Sequence, residues 1–439
     1  MRPTPRIRRI LALAIPAALS SLLDMLQVLV DLIMVGRLGA DAIAAVGLSL
    51  QFLGLLMAFL SIFYTGTNAL VSRFVGARET KEAGAATGIF IVFALFTSIP
   101  FTIGGLLYSG GFFNFMGTSE SVRMLGMDYL GAYALCFPLF FANFVFSSAM
   151  AASGDTRTLL WIKIIMNLAN TGLNYLLIYG HGGFPALGVK GAAIASALAI
   201  ALQFILFLYL FQGGKTRLLF HWSWRPDLVW RMLRVGVPTG IERMATYGSF
   251  IIFTKLIADF GTAALAGYQV GLRIEGLAFM PGVGFTVAAM TLMGQHLGAN
   301  DPDSAQQDVM TTAWIAAGLM GFLGIFMILT PHWLIYPFTQ DPGTVQAASL
   351  YLQLVGISQV PLAMAFVLSG SLRGAGATRI TLRINLISLW SLRILPGWAL
   401  SAWFGGLIWI FIAMTVETFV KGGILWWVFQ KGAWKNKKV

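Results

Sequence analysis

Four polar residues, Ser20, Asp24, Gln27 and Asp31, recur at i, i+4, i+7 and i+11 within the apolar stretch Ile10 to Gly36. That spacing lays them along one stripe of a single helix. The stretch holds about 27 residues, enough to cross a hydrocarbon core that needs roughly 20. A charged side chain at membrane depth costs about 2.5–3.5 kcal/mol even on insertion scales. Two acids on one face must therefore look into protein or water, not lipid. They are either structural acids hydrogen-bonded inside a bundle or acids that take up and release a cation, and the second reading is favoured.

A second polar face supports it. Asn167, Asn170, Thr171 and Asn174 lie at i, i+3, i+4 and i+7 on the fifth apolar segment, where they can meet the Asp31 face. Burial disfavours a charged carboxylate, while donation from amides favours it. An acid poised in this way can hold a proton in one conformation and lose it in another. Carboxylate with amide and hydroxyl oxygens equally suits a hard cation, so sodium at Asp31, Asn170 and Asn174 stays open beside a proton. No cofactor and no other metal are expected. Asp24, Gln27, Asn167, Glu242 and Glu275 form a weaker set expected to line a substrate cavity. For Asp24 a structural role is the alternative, and for Glu242 and Glu275 it is cross-pairing with Arg243 and Arg273. Glu417 and Lys421, at i and i+4, read as an ordinary helix pair.

The elements that must position these groups follow from composition. The chain has 439 residues, 58% of them hydrophobic and 10% charged, against roughly 25% charged in a soluble domain. An ordinary soluble protein is excluded. The net charge of +12 reads as basic cytoplasmic loops and not as a nucleic-acid footprint. The partners are then the bilayer and small molecules, with a monomer expected. A single cysteine, Cys136, forbids an internal disulfide. The apolar run after Arg2, Arg6, Arg8 and Arg9 is too long for a signal peptide and reads as an uncleaved helix. His181, His221, His296 and His332 are scattered, with no HExxH pattern, so no enzyme is expected. Gly213-Gly214-Lys215-Thr216 imitates the end of a phosphate-binding loop but lacks its first glycine and a preceding strand; it reads as a loop.

Apolar segments predict an all-α membrane protein with twelve spans near 10–36, 43–71, 84–108, 124–150, 159–180, 188–211, 234–258, 264–293, 311–333, 346–371, 382–403 and 404–430. With both termini in the cytoplasm, 21 Lys and Arg residues fall inside and only Arg37, Arg123 and Lys190 outside, which selects that orientation; the expected location is the plasma (inner) membrane. The chain also repeats at a shift of 222 without a gap: Pro16 matches Pro238, Gly39 Gly261, Gly76-Ala77 Gly298-Ala299, Tyr129-Leu130 Tyr351-Leu352, Gly154 Gly376, and Thr156-Arg157 Thr378-Arg379. Two six-helix bundles in parallel topology follow: a first lobe over 1–211, a cytoplasmic linker over 212–233 and a second lobe over 234–439. Such repeats place a transported substrate near the midplane. The shift also sets Asp31 against Phe253, Ser20 against Glu242 and Leu53 against Glu275, so the lobes carry different charges. Pro16 and Pro238 are the expected hinges.

The first-span proline with Val30-Asp31-Leu32-Ile33-Met34-Val35-Gly36, then Arg37-Leu38-Gly39 and Ala42-Ile43-Ala44-Ala45-Val46-Gly47, resembles the MATE (multidrug and toxic compound extrusion) family of the wider flippase-like exporter superfamily. Gly261-Thr262-Ala263-Ala264-Leu265-Ala266, Gly76-Ala77-Arg78, Gly154-Asp155-Thr156-Arg157, Leu173-Asn174-Tyr175 and Gly191-Ala192-Ala193-Ile194-Ala195-Ser196 carry the likeness over nearly the whole chain. It implies a V-shaped, two-lobed secondary antiporter that exports organic, often cationic, compounds in exchange for H+ or Na+ by alternating access. It implies that Asp31 is the first-lobe coupling acid, surrounded by Asn170 and Asn174, and Ser196 is grouped with them. Glu242 lies near, not at, the spacing of a seventh-helix glutamate found in many relatives. Span 346–371 lacks the acid of a second-lobe cation site, which moves the weight to the first lobe. A lipid-linked sugar flippase of the same superfamily is the alternative, opposed by the acids at 24, 31, 242 and 275.

Overall fold

The computed structural model describes residues 4–214, 218, 225–435 and 437. Arg2, Lys438 and most of the expected linker, including Lys215, Thr216 and His221, lie outside the described residues.

Among the described residues the chain is helical throughout. The first half runs α1 (Pro5–Gly36), α2 (Ala40–Gly76), α3 (Thr80–Phe115), α4 (Glu120–Ala134), α5 (Phe137–Ser153), α6 (Thr156–Tyr179) and α7 (Gly188–Gln212). The second runs α8 (Pro226–Ala258), α9 (Thr262–Gly298), α10 (Pro302–Leu329), the single turn α11 (Pro331–Ile335), α12 (Pro342–Ile357), α13 (Gln359–Gly374), α14 (Thr378–Ser388), a π-helical turn over Leu389–Ile394, α15 (Leu395–Phe404) and α16 (Ile408–Gln430). Seven of these, α1, α2, α3, α7, α9, α10 and α16, are each long and apolar enough to cross a membrane. The pairs α4–α5 and α12–α13 add two spans bent by 56° and 58°. Three remain: α6, α8 and the run from α14 through α15. Their arginines, lysines and asparagines make them the most polar segments, as helices must be that turn side chains inward. These twelve are the expected spans, the last starting at Ile408 after a break at Gly405 and Gly406.

The repeat is legible in the backbone. Starts of α2 and α9, α3 and α10, α4 and α12, α5 and α13, and α6 and α14 are each 222 apart. Arg78 (φ 64°) and Asn300 (φ 56°), the only described non-glycine residues with positive φ, are also 222 apart. The helix start at α4 is capped by Ser119, whose hydroxyl accepts from the Val122 N–H, and that at α12 by Asp341, whose carboxylate accepts from the Thr344 N–H. These caps are 222 apart as well. The halves diverge at one place. α6 is unbroken, whereas its counterpart is interrupted by the π turn. Pro396 has no N–H to return to the Leu392 carbonyl, and the Leu395 N–H instead reaches back five residues to Trp390,.

The chain folds as two compact units, 20–233 and 1–19 with 234–439. This differs from the expected lobes, because each unit takes in the first turns of a helix from the other half. In the larger unit, Ile10, Leu13 and Ala14 of α1 enter a core with Phe285, Ala288 and Leu292 of α9. Arg6 pairs with Asp308 at 2.7 Å and Arg9 donates to Gln295 at 2.9 Å. In the other unit, Met232 of α8 lies 3.9 Å from Thr67, Arg231 stacks over Phe74, and Arg225 pairs with Glu82 at 3.4 Å. The exchange follows the repeat: Arg9 and Arg231 are 222 apart. Pro16 and Pro238 both lie inside continuous helices, within a few residues of these boundaries.

Candidate cation-coupling site

In the unit 20–233, Asp31 of α1 meets the amide face of α6. The Asn174 side-chain amide donates to Asp31 Oδ1 at 2.5 Å and to Asn170 Oδ1 at 3.1 Å. Asn170 in turn donates to Ser196 Oγ of α7 at 3.2 Å. The expected set Asp31, Asn170, Asn174 and Ser196 thus forms one relay of hydrogen bonds. Asn170 and Asn174 have no solvent exposure and Ser196 has 5%. Two local features hold the three helices at this spacing. The Tyr179 hydroxyl donates to the Met34 carbonyl at 2.7 Å, tying α6 to α1 one turn beyond Asp31. Any Cβ at Gly191 would collide with the Leu177 carbonyl, so glycine there lets α7 lie against α6 and brings Ser196 within reach.

Asp31 makes no ion pair among the described residues, and Asn174 Oδ1 is buried without a hydrogen-bond partner. A carboxylate with a spare acceptor beside it, and no fixed positive charge, is chemically suited to bind a proton or a small hard cation. Among the described residues there is no cluster of three or more His, Cys, Asp or Glu side chains of the kind that grips a transition metal.

Elsewhere on the stripe, Asp24 is ion-paired with Lys163 of α6 at 2.7 Å, as its structural alternative expects, although its side chain remains half exposed. Lys163, Asn167, Asn170 and Asn174 repeat the spacing of Ser20, Asp24, Gln27 and Asp31. That shared periodicity is the signal for Lys163 as the partner of Asp24. Between the Asp24 and Asp31 contacts, both side-chain atoms of Asn167 are buried without partners, and half-buried Gln27 makes no side-chain hydrogen bond among the described residues.

In the unit 1–19 with 234–439, Glu242 and Glu417 are each held by cations. Glu242 is 3% exposed. It pairs with Arg373 of α13 and accepts from Asn385 at 2.6 Å and Thr381 at 3.2 Å on α14. This overturns both cavity lining and cross-pairing with Arg273. Glu275 accepts from the Tyr351 hydroxyl of α12 and pairs with neither Arg243 nor Arg273; those two arginines are exposed on their helices. Glu417 has no exposure and is more than one half of a helix pair. Lys421 at 3.0 Å, Arg393 of the π turn at 2.7 Å and Ser388 at 3.0 Å surround it. The signal for Arg373 and Arg393 was their place in or beside apolar spans, where a cation needs a named partner.

The MatE family profile matches residues 16–176 and 238–399, two segments again 222 apart. The "Probable multidrug resistance protein NorM" of Thermotoga maritima is 29% identical, over 99% of this chain and 95% of its own. The "Probable multidrug resistance protein YoeA" of Bacillus subtilis is 25% identical, over 88% and 85%. Among solved structures, the Vibrio cholerae MATE transporter VcmN in the bent form superposes with a TM-score of 0.90 at 21% identity, over 97% of this chain and 96% of that one, a likeness of fold. With the profile covering corresponding parts of both halves of a twelve-span repeat, the chain belongs to the MatE family and is a multi-pass MATE transporter.

Proposed function

We propose that the protein is a secondary multidrug exporter that exchanges H+ or Na+ for organic, largely cationic, compounds by alternating access. The observation that carries this reading is the relay Asp31–Asn174–Asn170–Ser196 with no basic residue in it. An uncompensated acid at membrane depth is costly, and a bound cation removes that cost. The same acid can thus favour one conformation when loaded and another when empty. Asp31, Asn170 and Asn174 are the residues that would hold the cation. Asn167 of α6, buried without partners, and Gln27 of α1 mark a polar route between the two facing stripes. Pro16 and Pro238, close to where α1 and α8 change units, serve as hinges. The relatives named as multidrug resistance proteins support the substrate class.

The energetics are adequate without a nucleotide. One charge crossing about 100 mV releases roughly 2.3 kcal/mol, or about fiftyfold in concentration ratio. The protein acts as a monomer in the plasma (inner) membrane with both termini cytoplasmic, in line with its basic loops. The test is efflux of a cationic dye from vesicles under an imposed pH gradient and, separately, a sodium gradient. Asp31→Asn is expected to insert in normal amount and to lose gradient-driven export. Wild-type export by that variant would overturn the reading.

A further inference from the structure

The unit 20–233 carries a groove that the coupling site does not use. It has a volume of about 460 Å³ and lies between α3, α4 and α7, at the end of the bundle that holds the α3–α4 and α6–α7 connections. Its walls are apolar, with Leu106, Leu135, Ile194 and Leu198, and two charged residues of opposite sign, Asp128 and Lys190, share the lining. Both are exposed, and neither makes an ion pair among the described residues.

Depth decides what covers such a groove. α3 has 36 residues, about 54 Å of helix against a hydrocarbon core of about 30 Å, so its ends project into the headgroup layers. Leu106 is nine residues from the end of α3 and Lys190 is the third residue of α7, which sets the mouth of the groove at headgroup level. From Lys190 to Ala201 the α7 wall runs about 16 Å into the bundle, the scale of an acyl chain. A groove on a membrane bundle is filled by lipid, and its two charges then select the headgroup. We infer that it is a binding site for phosphatidylethanolamine, with Lys190 on the lipid phosphate, Asp128 on the primary ammonium and one acyl chain in the groove. Lys190 can rise to the phosphate on its long stem. Phosphatidylcholine has the charges but no N–H donors for Asp128, and phosphatidylglycerol sets a net anion beside that carboxylate.

The test is native mass spectrometry of the full chain equilibrated with equal amounts of these three lipids with matched acyl chains. The wild type is expected to retain one phosphatidylethanolamine, several-fold over either competitor. Asp128→Asn should remove that preference while leaving phosphatidylglycerol bound, and Lys190→Met should lower retention of all three. Gly131→Leu fills the groove; a Cβ there meets nothing within 4 Å, so folding and dye export are kept while retained lipid is lost. Equal retention of the three lipids by the wild type, or an unchanged preference in Asp128→Asn, would overturn the assignment. The inference stands apart from the coupling mechanism, because none of these residues belongs to the Asp31 relay.

Discussion

In the first bundle Asp31 is held by a single amide donor within a neutral relay, whereas in the second Glu242 and Glu417 each face a guanidinium. The two bundles derive from one repeated unit, and the repeat sets Asp31 against Phe253, so these are different solutions on a shared frame. An acid locked by arginine keeps its charge and its place, and serves as architecture. An acid among amides has its charge uncompensated, and only a mobile cation can supply the balance. The broken helix fits this division. The π turn that replaces the unbroken course of α6 carries Arg393 to Glu417, while uninterrupted α6 keeps its asparagines in register with Asp31.

The comparison breaks most visibly in stability. Arg373→Ala strands Glu242 in the interior and is expected to cost about 3–5 kcal/mol, whereas Asp31→Asn should cost less than about 1 kcal/mol because it removes a charge without removing a partner. Denaturation midpoints of the two purified variants check this; equal losses would end the distinction. Next in size is Arg393→Met, at about 1.5–3 kcal/mol, because Lys421 remains to compensate Glu417 in part. Pairing it with Lys421→Met should cost more than the sum of the single changes.

An acid outside the membrane sharpens the same point through pH. Burial works to raise the Asp308 pKa, but the His296 hydrogen bond and the charges of His296, Arg6 and Arg9 outweigh it and hold the carboxyl below its ordinary value. Its stabilisation is therefore full above the unfolded value of about 3.9 and is lost as pH falls through the lower folded value. Asp308→Asn should lower stability at neutral pH and flatten the acid limb of the stability curve. The smallest effect belongs to the half-exposed Asp24–Lys163 pair, whose coupling in a double-mutant cycle should be about 0–1 kcal/mol.

Much of this was readable from residues. Acid and amides at helical spacing located the relay, because both partners sit on regular helices whose faces follow from sequence alone. The gapless repeat gave the helix count and pairing for the same reason. The partners of Glu242 were not readable: Arg373 and Asn385 lie 131 and 143 positions away, and only packing brings them together. The exchange of helix starts was hidden too, since a continuous apolar helix carries no mark of which neighbour each turn will join. For Asp24 the two readings stayed open because Lys163, its partner, lies 139 positions away, and only the packing of α6 against α1 brings them together.

The most direct test of the central claim is cation release on substrate binding. Purified protein in weak buffer would be titrated with a cationic dye while a pH indicator and bound radiolabelled sodium are followed. The wild type should release a proton or a sodium ion, and Asp31→Asn should release neither while still binding dye. Undiminished release from Asp31→Asn would contradict the account.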